Sequence, residues 1–296
     1  MRGALCDDRQ MPVASDPTAG PALLAVSDLH VGFADNREIA AAIAPGTPGD
    51  WLILAGDVGE FAADIEWILG LLSERFARVI WVPGNHELWT HRRESLRLRG
   101  VERYEHLIGM CRRLGVVTPE DTYPVWEGAG GPVVIVPMFL LYDYTFLPEG
   151  ADTKEQALER AYATGIVASD EALLHPDPFP SREAWCLDRL ASTRARLETL
   201  PDDRRTILVN HFPLVREPTR VLRHPVYAPW CGTERTADWP RLFRADAVVY
   251  GHLHIPRTIW HDGVRHEEVS LGYPREWKRR PFQPAVPRKI LPVPGG

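Results

Sequence analysis

Short apolar runs rich in Val, Ile and Leu recur along the chain, and amphipathic stretches separate them. "ALLAVSDLH" closes on Asp28 and His30, "DWLILAGDVGE" on Asp57, and "RVIWVPGNHE" on Asn85 and His86. "PVVIVPMF" follows, then "TILVNHFP" with His211, "AVVYGHLH" with His252 and His254, and "EEVSLGY". Runs of this length, bounded by Gly, Pro and polar residues, predict buried strands. Between the second and third runs, "FAADIEWILGLLSERFA" sets Phe61, Ile65, Ile68, Leu72 and Phe76 at helical spacing. That spacing predicts an amphipathic helix covering a sheet face. "REAWCLDRLASTRARLETL" has the same character ahead of "TILVNHFP". Strand, helix, strand repetition argues a layered α/β domain rather than an all-β sandwich or a helical bundle.

The rhythm bounds the organisation. Residues 1–20 read as a flexible lead, 21–280 as one domain, and 281–296 as an extended Pro-rich tail. Residues from about 139 to 182 break the alternation. They hold "LLYDYTFLPEG", a helix predicted from Thr153 to Tyr162, and "HPDPFP", and read as an insertion over one edge of the core. With 45% hydrophobic and 25% charged residues, the composition is that of a globular protein. A formal net charge of -6 argues against bulk attraction to nucleic acid or anionic membrane. No apolar segment is long enough to span a bilayer. Asp7 and Asp8 stand where a signal peptide needs an apolar core, so a cytoplasmic protein is expected. Cys6, Cys111, Cys186 and Cys231 form no CxxC pair and read as reduced thiols.

Ligands of open α/β sheets gather at the carboxyl ends of strands. Five runs here end in metal-ligand residue types: Asp28 and His30, Asp57, Asn85 and His86, His211, then His252 and His254. Oxygen donors mixed with imidazoles suit Mn, Fe or Zn better than Ca or a thiolate site. One ion needs about four such groups, and this set suffices for two ions sharing one carboxylate. Taken singly, the pieces differ in weight. "DLH" is common, and Asp57 alone could cap the helix that follows. "GNHE" says more, because Gly84 permits a tight turn. The alternate histidines of "GHLH" point to one side of an extended segment. His106, His175, His224, His261 and His266 read as surface or packing residues. His91, Arg92 and Arg93 follow "GNHE" and are candidates to line a cleft. Arg216, Arg220 and Arg223 follow His211 and are candidates to meet an acidic partner, whereas "REWKRR" reads as a solvated face.

In this order, D-x-H, G-D-x-x-E, G-N-H-E, a lone His and G-H-x-H resemble the calcineurin-like metallophosphoesterase superfamily over residues 22–273. The resemblance implies an α/β fold of four layers, two mixed β-sheets flanked by helices. It implies that Asp28, His30 and His254 hold one metal, that Asn85, His211 and His252 hold the other, and that Asp57 bridges them. His86 is then not a ligand but faces the scissile phosphate; with Asp57 and Asn85 it forms the expected catalytic group. Two transition-metal ions are implied, Mn or Fe, with Zn also accommodated. A hydroxide between them would attack phosphorus in line, and His86 would donate to the phosphate or the leaving oxygen.

The superfamily leaves the substrate open. Serine/threonine phosphatases carry an Asp-Arg-Gly continuation that "GDVGEFA" lacks, and the acidic balance disfavours a nuclease. The segments "VIWVPGNHELWT", "VPMFLLYDYTFLPEG", "WCGTERTADW", "VYGHLHIPRT" and "EEVSLGYPREWKRR" are similar to the actinobacterial phosphopantetheinyl hydrolases. That similarity implies removal of 4'-phosphopantetheine from a holo-carrier protein to give the apo form. The implied partner is an acidic acyl or peptidyl carrier protein, with no nucleic acid and no membrane. A small-molecule or cyclic-nucleotide phosphodiesterase is the alternative. A non-catalytic scaffold, as in the retromer subunit of this fold, is disfavoured because every metal position and His86 are present.

Overall fold

The computed structural model describes residues 20–281 and 285–293. The expected lead, residues 1–19, and Cys6 lie outside the described residues, as do 282–284 and 294–296 of the expected tail. Two mixed sheets form. The first has the order β10-β1-β2-β3, from β1 (Leu23–Val26), β2 (Trp51–Ala55), β3 (Arg78–Val82) and β10 (Arg288–Leu291). The second, ordered β4-β5-β6-β7-β9-β8, comprises β4 (Val125–Trp126), β5 (Val133–Pro137), β6 (Thr206–Val209), β7 (Ala245–Tyr250), β8 (Arg257–His261) and β9 (Val264–Glu268). β1, β2 and β3 run parallel, as do β5, β6, β7 and β9; β10, β4 and β8 are the antiparallel edges.

Side chains alternate along each strand, and the alternation builds the layers. Ile53 and Ala55 of β2 and Ile207 and Val209 of β6 belong to an apolar cluster between the sheets, with Ala25, Val82, Ile135 and Val249. Leu52, Leu54, Val136 and Leu208 point the other way and pack with helix residues such as Ile65, Ile68, Leu107, Trp185 and Trp239. A strand buried on both faces reads as an unbroken apolar run, which is why these runs stand out in the sequence.

The helix expected near 61–77 is Ala62–Ser73, and the one before β6 is Arg182–Leu197, capped by the Ser181 side chain. Lys154–Ala163 forms as expected, with the Thr153 hydroxyl accepting from the Gln156 amide. The strand expected in "EEVSLGY" is shifted toward the N-terminus: β9 ends at the second glutamate of that run, Glu268, and beyond it only Ser270 forms a bridge, to Ser27. The tail is extended but not free, because Arg288–Leu291 pairs with β1. Residues 139–182 do more than cover an edge. Phe139, Leu140, Leu141, Tyr142, Tyr144 and Phe146 are buried, and the segment reaches the cleft through Asp170. Among the described residues no helix is long and apolar enough to cross a membrane.

Candidate metal centre

Parallel strands with aligned ends deliver their loops to one rim, and main-chain hydrogen bonds tie the loops together beyond the strands. Asp28 N donates to Gly56 O at 2.9 Å, His30 N to Asp57 O at 3.0 Å, and Gly251 N to His211 O at 2.9 Å. Leu271 N donates to Ser27 O at 3.0 Å, which joins the first sheet to the second. The turns are sharp enough to force left-handed backbone. Asp28, His30, Asp57, His252 and His254 have φ between 41° and 68°, five of the eight described non-glycine residues with positive φ. Each such residue costs on the order of 1–3 kcal/mol, and such strain collects at functional sites.

These loops bring together every residue that the sequence marked as a ligand. Ligand atoms of Asp28, His30 and His254 lie within 4.8 Å of one another, and so do those of Asp57, His211 and His252. His30, Asp57 and His86 make a third group joining the two. His254 Nε2 is 3.0 Å from Asp28 Oδ1 and 3.2 Å from His30 Nε2. His211 Nε2 is 3.3 Å from Asp57 Oδ2 and 3.2 Å from Asn85 Oδ1. His252 Nε2 is buried and has no hydrogen-bond partner. An orphaned imidazole nitrogen among carboxylates and an amide oxygen is a donor set that fits transition-metal ions.

Outer partners orient the donors. A carbonyl or an ionised carboxylate can only accept, so His211 donates from Nδ1 to Ala55 O (2.9 Å) and His254 from Nδ1 to Glu276 Oε2 (2.7 Å). Both rings therefore turn Nε2 to the cluster. Asn85 Nδ2 donates to Asp170 Oδ1 at 2.9 Å, which aims Oδ1 at His211. Asp170 also accepts from Trp89 Nε1 and from the Tyr142 hydroxyl. Glu87 accepts from the amides of Asp57, Val58 and Gly84 and so clamps two ligand loops together. Arg103 reinforces that clamp: its guanidinium donates to Glu87 O, to Glu60 O and to the Glu94 carboxylate.

The charges follow from packing oppositely charged groups without water. Burial alone would raise the Asp28 and Asp57 carboxyls, but neighbouring imidazoles hold both far below the usual range. Burial would strip the proton from His211 and His254, yet Asp57 and Asp28 push the two rings up to about 10. His252 lacks such a contact; burial and the His211 charge bring it down to about 3. For His86, burial is outweighed by Asp57 and by Glu60, whose Oε1 lies 3.1 Å from Nδ1, and the pKa is raised. Tyr273 Oη sits 3.3 Å from His86 Nε2, and its ring stacks on His30.

A cavity of about 380 Å³ opens from the cluster. His224, read from sequence as a surface or packing residue, lines it. His91 reaches the edge of the site, with Nε2 3.2 Å from Glu60 Oε2 and the ring stacked on Phe61. Arg92 and Arg93 are exposed and line none of the cavities beside the cluster. Arg216 is held by Leu147 O and Glu234, and Arg220 by Glu217 at 2.7 Å. Arg223 stands between Leu222 and His224, which both line the cavity. Sequence reading assigned no role to Glu60, Asp170, Tyr273, Glu276 or Arg103. Only Glu60 carried a signal, as the last residue of G-D-x-x-E. Cys111, Cys186 and Cys231 are buried free thiols, and burial pushes their pKa values up.

Comparison with known proteins places the chain in a family. The family model described as calcineurin-like phosphoesterase matches residues 22–256. An [acyl-carrier-protein] phosphodiesterase, PptH, of Mycobacterium tuberculosis is 56% identical over 277 residues, which are 93% of this chain and 85% of the relative. The crystal structure of the phosphopantetheinyl hydrolase PptH from Mycobacterium tuberculosis superposes with a TM-score of 0.91 at 54% identity, covering 95% of this chain and 98% of that one.

Proposed function

The chain belongs to the calcineurin-like phosphoesterase family, and from that premise we propose that it is a metal-dependent phosphodiesterase that returns holo-carrier proteins to their apo form. The observation that carries the reading is 56% identity, along nearly the whole chain, to a phosphodiesterase of acyl carrier protein. A donor set with no position missing supports an enzyme over a scaffold. In this reading Asp28, His30 and His254 hold one ion, Asn85, His211 and His252 the other, and Asp57 serves both. Mn or Fe suits this mixture of imidazole and oxygen donors, and Zn is compatible with it. Two bound cations would activate water near neutral pH and take up charge that develops on the phosphoryl oxygens.

The protein's own residues supply the rest. Glu60 accepts from His86 Nδ1 and so favours the doubly protonated ring, and the separate proton on Nε2 is the one donated to the leaving oxygen. Asp170 holds Asn85 in the rotamer that points its oxygen at the cluster. Tyr273 restrains the His86 ring from the open side. Carrier proteins are acidic, and Arg223, which forms no ion pair among the described residues, is the docking cation; His91, Arg92, Arg216 and Arg220 are secondary candidates. Such substrates imply a cytoplasmic enzyme with no requirement for membrane or nucleic acid.

The test is intact-mass analysis of a holo acyl carrier protein incubated with Mn-loaded protein, with an Asn85→Ala control. A shift to the apo mass that the control lacks supports the reading. A phosphoserine product means that the other ester bond breaks. An unchanged carrier, alongside hydrolysis of a generic phosphodiester, refutes the carrier substrate and redirects attention to nucleotides.

A further inference from the structure

Two cavities open beside the cluster, of about 380 and 440 Å³, and they form one continuous cleft: His86, Trp89, Ser169, Tyr273 and Arg275 border both. Arg275 stands where they join. In the sequence it belongs to the basic run "REWKRR", which reads as a solvated face. The fold divides that run. Lys278 pairs with Asp35 at 2.5 Å, and Arg280 donates to Leu271 O and His254 O, both at 3.0 Å. Arg279 is exposed and borders neither cavity. Among the four basic side chains that follow Pro274, only Arg275 borders the cleft.

The Arg275 guanidinium is held in place while its hydrogen-bond donors stay free. It lies over the Tyr273 ring at 5.1 Å. That ring is itself fixed, stacked on His30 at 4.5 Å and edge to face with Phe33 at 5.6 Å. A guanidinium on an aromatic face keeps its N–H groups available. Arg275 forms no ion pair among the described residues. The acids nearest to it in the cleft wall are engaged elsewhere. Glu276 accepts from His254 Nδ1 at 2.7 Å and from the Tyr273 amide at 2.9 Å, and Glu60 is turned to His86 and His91.

Resting on the carrier-protein reading, we propose that Arg275 is a specificity residue that meets an acidic side chain of the carrier protein at the cleft mouth. It thereby favours a protein-borne phosphodiester over a free one. The mouth has the makeup of a protein contact. Phe33 and Val167 border the cleft at 45% and 60% exposure, and a docked protein loop covers such side chains where a small hydrated diester leaves them wet. Depth separates Arg275 from the chemistry: it is exposed, whereas Asp28, Asp57 and His211 are buried. Charge points the same way. The chain carries a net -6, so an acidic partner gains attraction only where cations stand unpaired, and Arg275 is such a cation at the opening itself.

The experiment measures kcat/KM for a holo acyl carrier protein and for an armless aryl phosphodiester, and takes their ratio in wild type, Arg275→Glu, Arg275→Gln and Arg279→Glu. The ratio is expected to fall about tenfold in Arg275→Glu, by less in Arg275→Gln, and to stay near wild type in Arg279→Glu. The deficit should shrink as salt is added. An equal fall in Arg279→Glu overturns the proposal in favour of a general charge effect. A ratio that holds because both rates fall together overturns it in favour of a contact with the phosphodiester itself, and a variant with neither rate changed overturns it outright. Wild-type protein that hydrolyses the aryl diester but leaves holo-carrier untouched overturns the carrier reading, and this assignment with it.

Discussion

Gly84→Ala isolates one close approach at the centre. Gly84 has φ -96°, a conformation that alanine adopts freely, so the change adds a methyl group without backbone strain. That methyl would lie 2.1 Å from Asp57 Oδ1 and 2.8 Å from both Asp57 Cγ and Asp57 N. Relief to even 3.0 Å requires 3.0 − 2.1 = 0.9 Å of movement from the carboxylate oxygen. Rotating the Asp57 side chain is not enough, since its backbone nitrogen is also too close. The loops after β2 and β3 must separate, and Asp57 Oδ1 would then lose the His86 amide that donates to it at 2.9 Å. A displacement of about 1 Å in a reacting constellation costs on the order of 100-fold in rate. That is about 2.7 kcal/mol of transition-state stabilisation. The assay is kcat/KM on a phosphodiester, with metal content by elemental analysis and a thermal unfolding curve. A folded, fully metallated variant within about threefold of wild type would refute the reasoning.

Three further outcomes are expected. Asp170→Asn weakens the anchor that aims Asn85, so metal affinity or turnover should fall about 10–100-fold, as read by metal titration and steady-state rates. Arg103→Met strands the buried Glu94 carboxylate and should cost about 3–5 kcal/mol in urea unfolding, whereas additional replacement of Glu94 by Gln should recover part of the loss. His266 is buried with neither ring nitrogen hydrogen-bonded, and burial, then the nearby His261, lower its pKa from 6.5 to about 4. The unfolded chain takes up that proton first, so the stability is present well above pH 6.5 and drains away as pH falls toward 4. Over the window from about pH 6.5 to about pH 5 the loss is roughly 1.5 kcal/mol, and His266→Phe should flatten the urea midpoint there.

What the sequence made legible depended on distance along the chain. Asp28, His30, Asp57, Asn85, His211, His252 and His254 follow directly on apolar runs, so strand and donor were read as one signal. Asp170 and Arg103 could not be found that way. Asp170 meets Asn85 across 85 positions, and Arg103 reaches Glu60 across 43, so both contacts exist only once the layers have packed. His224 looked like a surface residue because a pair of 3-10 turns, Glu217–Val221 and Pro225–Trp230, carries it to the cleft with no apolar periodicity to announce it. β10 was missed as a strand because only Ile290 and Leu291 of its four residues are apolar and prolines flank it, and β4 because two residues give no alternation to register. β8 alternates in exposure but sits at a sheet edge, where one face stays wet.

The pairing of β10 with β1 has a consequence for the order in which the site is completed. Among the described strands, β1 leads directly to Asp28 and His30, and one of its two neighbours, β10, comes last in chain order. Until Arg288–Leu291 pairs, β1 presents a bare edge, and two of the three residues of the first ligand group hang on an incompletely paired strand. A chain lacking that strand would expose an adhesive edge beside an unfinished ligand cluster, so the closing strand protects the site as well as the sheet.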